Sequence, residues 1–263
     1  MPAKESVIAA ASLCVAAALP GCSAAPSAAD PPVPTTVHST AHPTAHPAKA
    51  VFAFTVAGDR PVLPGGSQDT HAQTPNARCD SATFAADKAL GTRVARAFAL
   101  AGFPASADLL AHFLTGTGTG VNYRAGSSIA KKALASEAFR ALNAEVQTAI
   151  LRQLKAGRTR VRLSAGQLPA VAFESRSSDL YWGFRGTQGL TVTGRGTREN
   201  GRYAGTLSYV IRDSYGFPIG DTLDGFGPPM RYLQTVCGAP RYAGGAHWFP
   251  DTVTVTVPFS RPA

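Results

Sequence analysis

Two histidines, an aspartate and a tyrosine are the residues of this chain best suited to chemistry. His112 and His247 carry imidazoles, which titrate near neutrality and serve as general acids and bases. Asp213 and Tyr215 stand together in Asp213-Ser214-Tyr215, with Asp221 and Asp224 soon after. Clustered carboxylates do acid–base work or hold a hard cation. Gly216, Pro218 and Gly220 lie among them, and turn chemistry accounts for the same acids without any reaction. His112, Asp213, Tyr215 and His247 form the candidate catalytic set. Cys237 precedes His247 by ten residues, so a thiol–imidazole pair is a further arrangement, with a disulfide as its rival.

Several chemistries lack their signatures. The chain has no His-Glu-x-x-His, no Gly-x-Ser-x-Gly and no zinc-type cysteine pairing, so no metal centre and no cofactor are expected. The run Thr115-Gly-Thr-Gly-Thr-Gly120 resembles a phosphate loop only superficially. It lacks the Gly-Lys-Ser/Thr ending and follows a helical segment, so it reads as a loop at the mouth of a site. His38, His42 and His46 recur every four residues. Weak transition-metal ligation is one reading. Pro43 and Pro47 deny the helix that would stack the three imidazoles, which leaves a spacer as the other.

A second constellation is basic. Arg158, Arg160 and Arg162 follow Arg152 and Lys155, with Tyr181 and Trp182 further on. The candidate binding set is Arg158, Arg160, Arg162 and Trp182. Net charge is +9, and the basic residues are mostly arginine. Such a surface favours an anionic envelope polymer or lipid, or else is simply a solvated helix end and strand face. No nucleic acid partner is expected.

The elements that must position these residues divide in two. Helical periodicity marks residues 81–100, with a stripe interrupted at Gly91, then 106–114 and 136–156. Ser136 is a helix start and Gly157 a helix stop. Residues 51–56 form a first strand. After Gly157 the period becomes two, through 160–164, 170–173 and 180–185, and Asn200-Gly201 joins two alternating runs as a hairpin. A short helix over 230–236 precedes a last strand over 251–259. Helices first and strands afterwards predict an α+β domain over 51–263, its helical part packed on a mostly antiparallel sheet.

The N-terminus carries an address. An apolar run over 7–19 is too short to cross a hydrocarbon core of about 30 Å as a helix. It ends in Leu19-Pro20-Gly21-Cys22, which resembles the lipobox of bacterial lipoproteins, although Pro20 departs from the usual residue types. The resemblance implies a signal peptide over 1–21, acylation of Cys22, and a membrane anchor outside the cytoplasm. Cleavage after Ser27-Ala28-Ala29, releasing a soluble protein, is the alternative. Residues 22–50 are a linker of Ala, Pro, Ser and Thr, with too few bulky apolar side chains to fold. Cys79 and Cys237 then remain as one pair, expected to form a disulfide.

Two further resemblances complete the reading. The arginine- and alanine-rich, lysine-poor composition is similar to that of high-GC actinobacterial proteins. The succession of His112-Phe-Leu-Thr-Gly, Leu180-Tyr-Trp-Gly-Phe, Arg212-Asp-Ser-Tyr-Gly-Phe and Met230-Arg-Tyr-Leu-Gln resembles uncharacterised C-terminal domains of exported bacterial proteins, some in toxin-like contexts. It covers residues 108–258 and implies no assigned active site. The expected role is an extracytoplasmic lipoprotein that binds an envelope component. A secreted toxin-like effector or hydrolase is the alternative.

Overall fold

The computed structural model describes residues 52–61, 78–185, 188–217, 225–238 and 241–263. The signal segment, Cys22, the linker histidines, Asp221 and Asp224 lie outside the described residues. Residues 49–263 form one compact unit.

The sheet is built around the Asn-Gly turn. Asn200 (φ 49°) and Gly201 (φ 70°) both adopt the left-handed conformation that a two-residue hairpin requires. They connect β4 (Gly189–Glu199) to β5 (Arg202–Tyr215), with Glu199 opposite Arg202. The last strand, β6 (Phe249–Pro262), runs antiparallel to β5 along its whole length, from Tyr215 opposite Phe249 to Arg202 opposite Pro262. The first strand, β1 (Phe52–Arg60), is antiparallel to β4. Two short strands complete the sheet: β2 (Val121–Tyr123) lies parallel to β6, and β3 (Arg160–Leu163) parallel to β1. The strand order is β2-β6-β5-β4-β1-β3.

The sheet is therefore mixed, which corrects the expected mostly antiparallel one; the α+β class holds. Its two edge pairs, β3 with β1 and β2 with β6, are parallel, and each pair is joined through intervening helices, as parallel strands require a crossover connection.

The helices cover one face. Helix α1 (Ser81–Leu100) starts at Asp80, whose carboxylate accepts from the Thr83 amide at 2.7 Å. Gly91 does not interrupt it. A β-carbon there would meet Met230 Sδ at 2.9 Å and the Leu114 methyls at 3.0 Å, so Gly91 lets two neighbouring helices approach. Helix α2 (Pro104–Thr115) has proline in its first turn and ends at Gly116, φ 71°. Helix α3 (Ser128–Ala135) was not foreseen; it abuts α4 (Glu137–Lys155) through the single extended residue Ser136, which closes one helix and caps the other. On α4, Phe139, Leu142, Val146, Ile150 and Leu154 are buried in the stripe that the sequence predicts.

Residues 180–185 also differ from expectation. They lie in α5 (Asp179–Phe184), a short helix capped by Ser178, rather than in the strand pattern. Asp179 explains the change. It is 1% exposed and its Oδ1 accepts from the Ser106 amide and hydroxyl at 3.1 and 3.0 Å, while Oδ2 pairs with Lys132 Nζ at 2.5 Å. One buried carboxylate thus joins the start of α2, α3 and α5. Helix α6 (Gly227–Thr235) precedes Cys237.

The disulfide forms as expected. Cys79 and Cys237 are bonded with their α-carbons 5.0 Å apart, tying the entry of α1 to the exit of α6. The Cys237 sulfur is thereby committed, and the thiol–imidazole arrangement with His247 falls away. Replacing both cysteines by serine opens a loop spanning 158 residues. On the chain-entropy model this lowers unfolding free energy by about 5 kcal/mol at most, and denaturant titration of the two proteins measures it.

Candidate functional site

All four residues of the candidate catalytic set lie where β5 ends and β6 begins. Pairing register puts Asp213 directly opposite Asp251, Ser214 opposite Pro250 and Tyr215 opposite Phe249. Directly opposed residues of an antiparallel pair point to the same face, with β-carbons about 5 Å apart. Asp213 shares the parity of Tyr209 and Ile211, and Asp251 that of Val253 and Val255, so both carboxyls face the helices. Asp251 is 0% exposed, while Asp213 is half-buried and is the member nearer solvent.

Burial dominates the electrostatics of this pair. Desolvation pushes the Asp213 carboxyl well up, against the weaker opposing effect of the Ser214 amide, which donates to Asp213 Oδ1 at 2.9 Å. Asp251 is also pushed well up, by desolvation first and by the facing Asp213 second. Neither carboxyl oxygen of Asp251 has a hydrogen-bond partner among the described residues. An isolated, fully buried carboxylate charge is far costlier than the neutral acid, so Asp251 is carried protonated at neutral pH. The same acidic neighbourhood reaches Tyr123. Burial, then the charges of Asp108, Asp251 and Asp179, raise its phenol above the ordinary tyrosine range.

The two imidazoles hold the loop between α2 and β2. His112 Nε2 lies 2.8 Å from the Thr119 carbonyl and 3.3 Å from the Thr119 hydroxyl, and its ring meets Phe249 edge-on at 4.5 Å. His247 Nδ1 lies 2.5 Å from the Trp248 carbonyl, and its amide donates to the Phe113 carbonyl at 3.3 Å. Gly118, at φ 65°, passes so close that a β-carbon would sit 2.8 Å from His247 Nδ1. The threonine–glycine run is thus laid against both histidines, and its glycines answer a close approach rather than a phosphate. Tyr215 stacks on Phe249 with centroids 5.4 Å apart, forming the aromatic floor beneath His112. Chemically, the assembly offers a protonated buried acid, a second carboxyl closer to solvent, and two imidazoles bonded to backbone carbonyls.

Sequence reasoning missed Asp251. Its signal was present: it opens the run Asp251-Thr-Val-Thr-Val at the same parity as the buried valines, so period two already pointed it inward. What was absent was the register that sets it against Asp213.

The candidate binding set is divided by the fold. Arg160 and Arg162 lie on β3 and Arg158 just before it, all exposed. Trp182 has other neighbours. Its ring packs 5.3 Å from Phe98 and 6.3 Å from Phe226, and its indole donates to the Arg176 carbonyl at 2.9 Å. Strand β3 is flanked instead by β1 and α4. Gln153 of α4 closes its outer edge, donating to the Arg162 carbonyl at 2.7 Å and accepting from the Arg162 amide at 3.3 Å.

The carboxyl pair has a measurable consequence. A buried acid whose proton affinity is raised by folding costs no stability below the ordinary value of 3.8, where both states are protonated. The cost grows as pH climbs and is complete above about 8 for Asp213. Asp251→Asn replaces the buried acid with a permanent donor for Asp213. Its thermal midpoint, followed by circular dichroism, is expected to exceed that of the wild type at pH 8 and to approach it at pH 4. Each kcal/mol relieved amounts to about 2–4 °C in a domain of this size.

No family model matches this sequence, and no curated protein or solved structure matches it significantly.

Proposed function

We propose that this chain is a lipid-anchored extracytoplasmic protein that binds an anionic component of the cell envelope. The observation that carries the reading is the Cys79–Cys237 disulfide, with Cys237 fully buried at the exit of a core helix. Structural disulfides belong to oxidising compartments. A leader ending in a lipobox-like Leu-Pro-Gly-Cys22 supplies the route there, and two acyl chains on Cys22 give stable attachment. In this reading the proline-rich residues 22–50 are the spacer between the anchor and the folded unit. Among the described residues no helix is long and apolar enough to cross a membrane, so attachment rests on the lipid in this reading. The exposed Arg158, Arg160 and Arg162 give the folded unit its affinity for anions.

A second reading, a secreted effector or hydrolase, is favoured by one observation: the facing Asp213 and Asp251 at the end of the sheet. A protonated acid beside a more exposed carboxyl is the equipment of general acid catalysis.

The intact, non-reduced mass of protein recovered from membranes tests the first reading. The expected species begins at Cys22, carries a diacylglycerol increment and lacks the two hydrogens of the Cys79 and Cys237 thiols. Protein beginning near Asp30, without lipid and in the medium, would overturn the anchor. For the second reading, the chain is produced inside and outside a test cell beside its Asp213→Asn variant. The binding reading expects no growth difference; growth arrest that Asp213→Asn abolishes would replace it with the effector.

A further inference from the structure

Among the described residues, the helices pack on one face of the six-stranded sheet. Side chains on the other face are small and polar to an unusual degree. Thr193 on β4, Thr206 and Ser208 on β5, and Thr254 and Thr256 on β6 all lie on it, and Thr193, Ser208 and Thr256 form one cross-strand row. The opposite parity of the same strands carries the core, including Tyr209, Ile211, Val253, Val255 and Val257. No aromatic residue of these strands points to the open face.

Charge is concentrated at one corner of this face. Thr55 of β1 is paired on one side with Arg160 of β3 and on the other with Arg195 of β4. Ala57 is likewise paired with Arg162 and with Thr193. Strands lie about 4.8 Å apart and same-face residues about 6.7 Å apart along a strand. Arg160 and Arg195 therefore rise about 10 Å apart across Thr55, and Arg162 stands beside Arg160. The floor between them is small: Thr55, Ala57 and Thr193, all exposed. None of these three arginines has an ion-pair partner among the described residues. Two acids share this face: Asp59, paired with Arg212 at 2.8 Å, and Glu199, at the hairpin end of β4 opposite Arg202.

From this geometry we infer that the open sheet face is a binding surface for a linear phosphodiester-linked polyol or sugar polymer, with Arg160, Arg162 and Arg195 holding its phosphates. The inference deepens the envelope-binding function proposed above and rests on it. Guanidinium forks match phosphate oxygens in two-point contacts. The threonine and serine hydroxyls both donate and accept, which suits the hydroxyls of a polyol or sugar between phosphates. Cross-strand rows of small side chains accept a chain lying across the strands. An anionic bilayer is the poorer occupant, because the described strands present no aromatic side chain on this face to enter the acyl region, and Val210 stands among threonines.

The test titrates the mature full chain with poly(glycerol phosphate), with uncharged dextran, and with vesicles of three parts phosphatidylglycerol to seven of phosphatidylcholine. Binding is read by calorimetry at two salt concentrations. Poly(glycerol phosphate) is expected to bind and dextran not to. The double variant Arg160→Gln, Arg195→Gln is expected to weaken binding about tenfold and to release about two fewer counterions, one per guanidinium lost. Thr193→Val with Thr206→Val keeps the charge, so it should weaken binding while leaving the salt dependence unchanged. These positions are exposed, and circular dichroism melting confirms that each variant is folded. Undiminished binding by the arginine variant overturns the inference, as does binding confined to vesicles. The mass measurement separates the two ideas: lipidated Cys22 without polymer binding refutes only this surface, whereas unlipidated protein that binds the polymer refutes only the anchor.

Discussion

The alternation of side chains along β4, β5 and β6 is the constraint on which the rest of the structure depends. These strands are paired over their full lengths, and one parity of each is buried against the helices. A slip of one residue would turn Tyr209, Ile211 and Val255 to solvent and push threonines and arginines into the core. The turn at Asn200-Gly201 sets the register of β4 against β5. Burial of the valines of β6 then allows only one register against β5. The carboxyl pair and the arginine corner are both consequences, one on each face.

The two faces follow opposite physics. On the helix side, Asp213 and Asp251 occupy positions that the pattern reserves for apolar residues, and desolvation holds their protons. Such an arrangement is unfavourable to stability, and it persists only because Val253, Val255, Ile211 and the aromatic group of Tyr215 and Phe249 fix the strands around it. On the open side, charges stay hydrated among small side chains, and the exposed arginines there contribute little to stability.

The helical layer is joined by polar pins as well as by the core. Asp179 links the starts of α2 and α5 to α3 through Ser106 and Lys132. Tyr209 reaches Asn143 on α4 at 2.7 Å, and Tyr203 reaches the Leu154 carbonyl at 3.1 Å. The disulfide ties α1 to α6, two helices that also pack on each other. Each pin couples segments far apart in sequence, which is how a chain with low charge content keeps one arrangement of its helices.

Much of this was legible in the residues alone. The long helices, the hairpin, the last strand and the disulfide follow from local signals: a capping serine, a run of 3.6-residue period, an Asn-Gly pair, and one remaining pair of cysteines. Residues 180–185 misled because a short aromatic run has no period of its own; Asp179, buried against Ser106 and Lys132, decides that it is helix. Gly91 read as an interruption because propensity is local, while its purpose is to admit Met230 and Leu114. The sequence by itself determined which residues alternate and therefore which must share a face. Only the tertiary structure decided what each face meets: Asp251 against Asp213, His112 and His247 against the threonine–glycine loop, Arg195 across Thr55 from Arg160, and Trp182 against Phe98 and Phe226. Those pairings are set by register between strands and by packing across layers, and neither is written in any local stretch of chain.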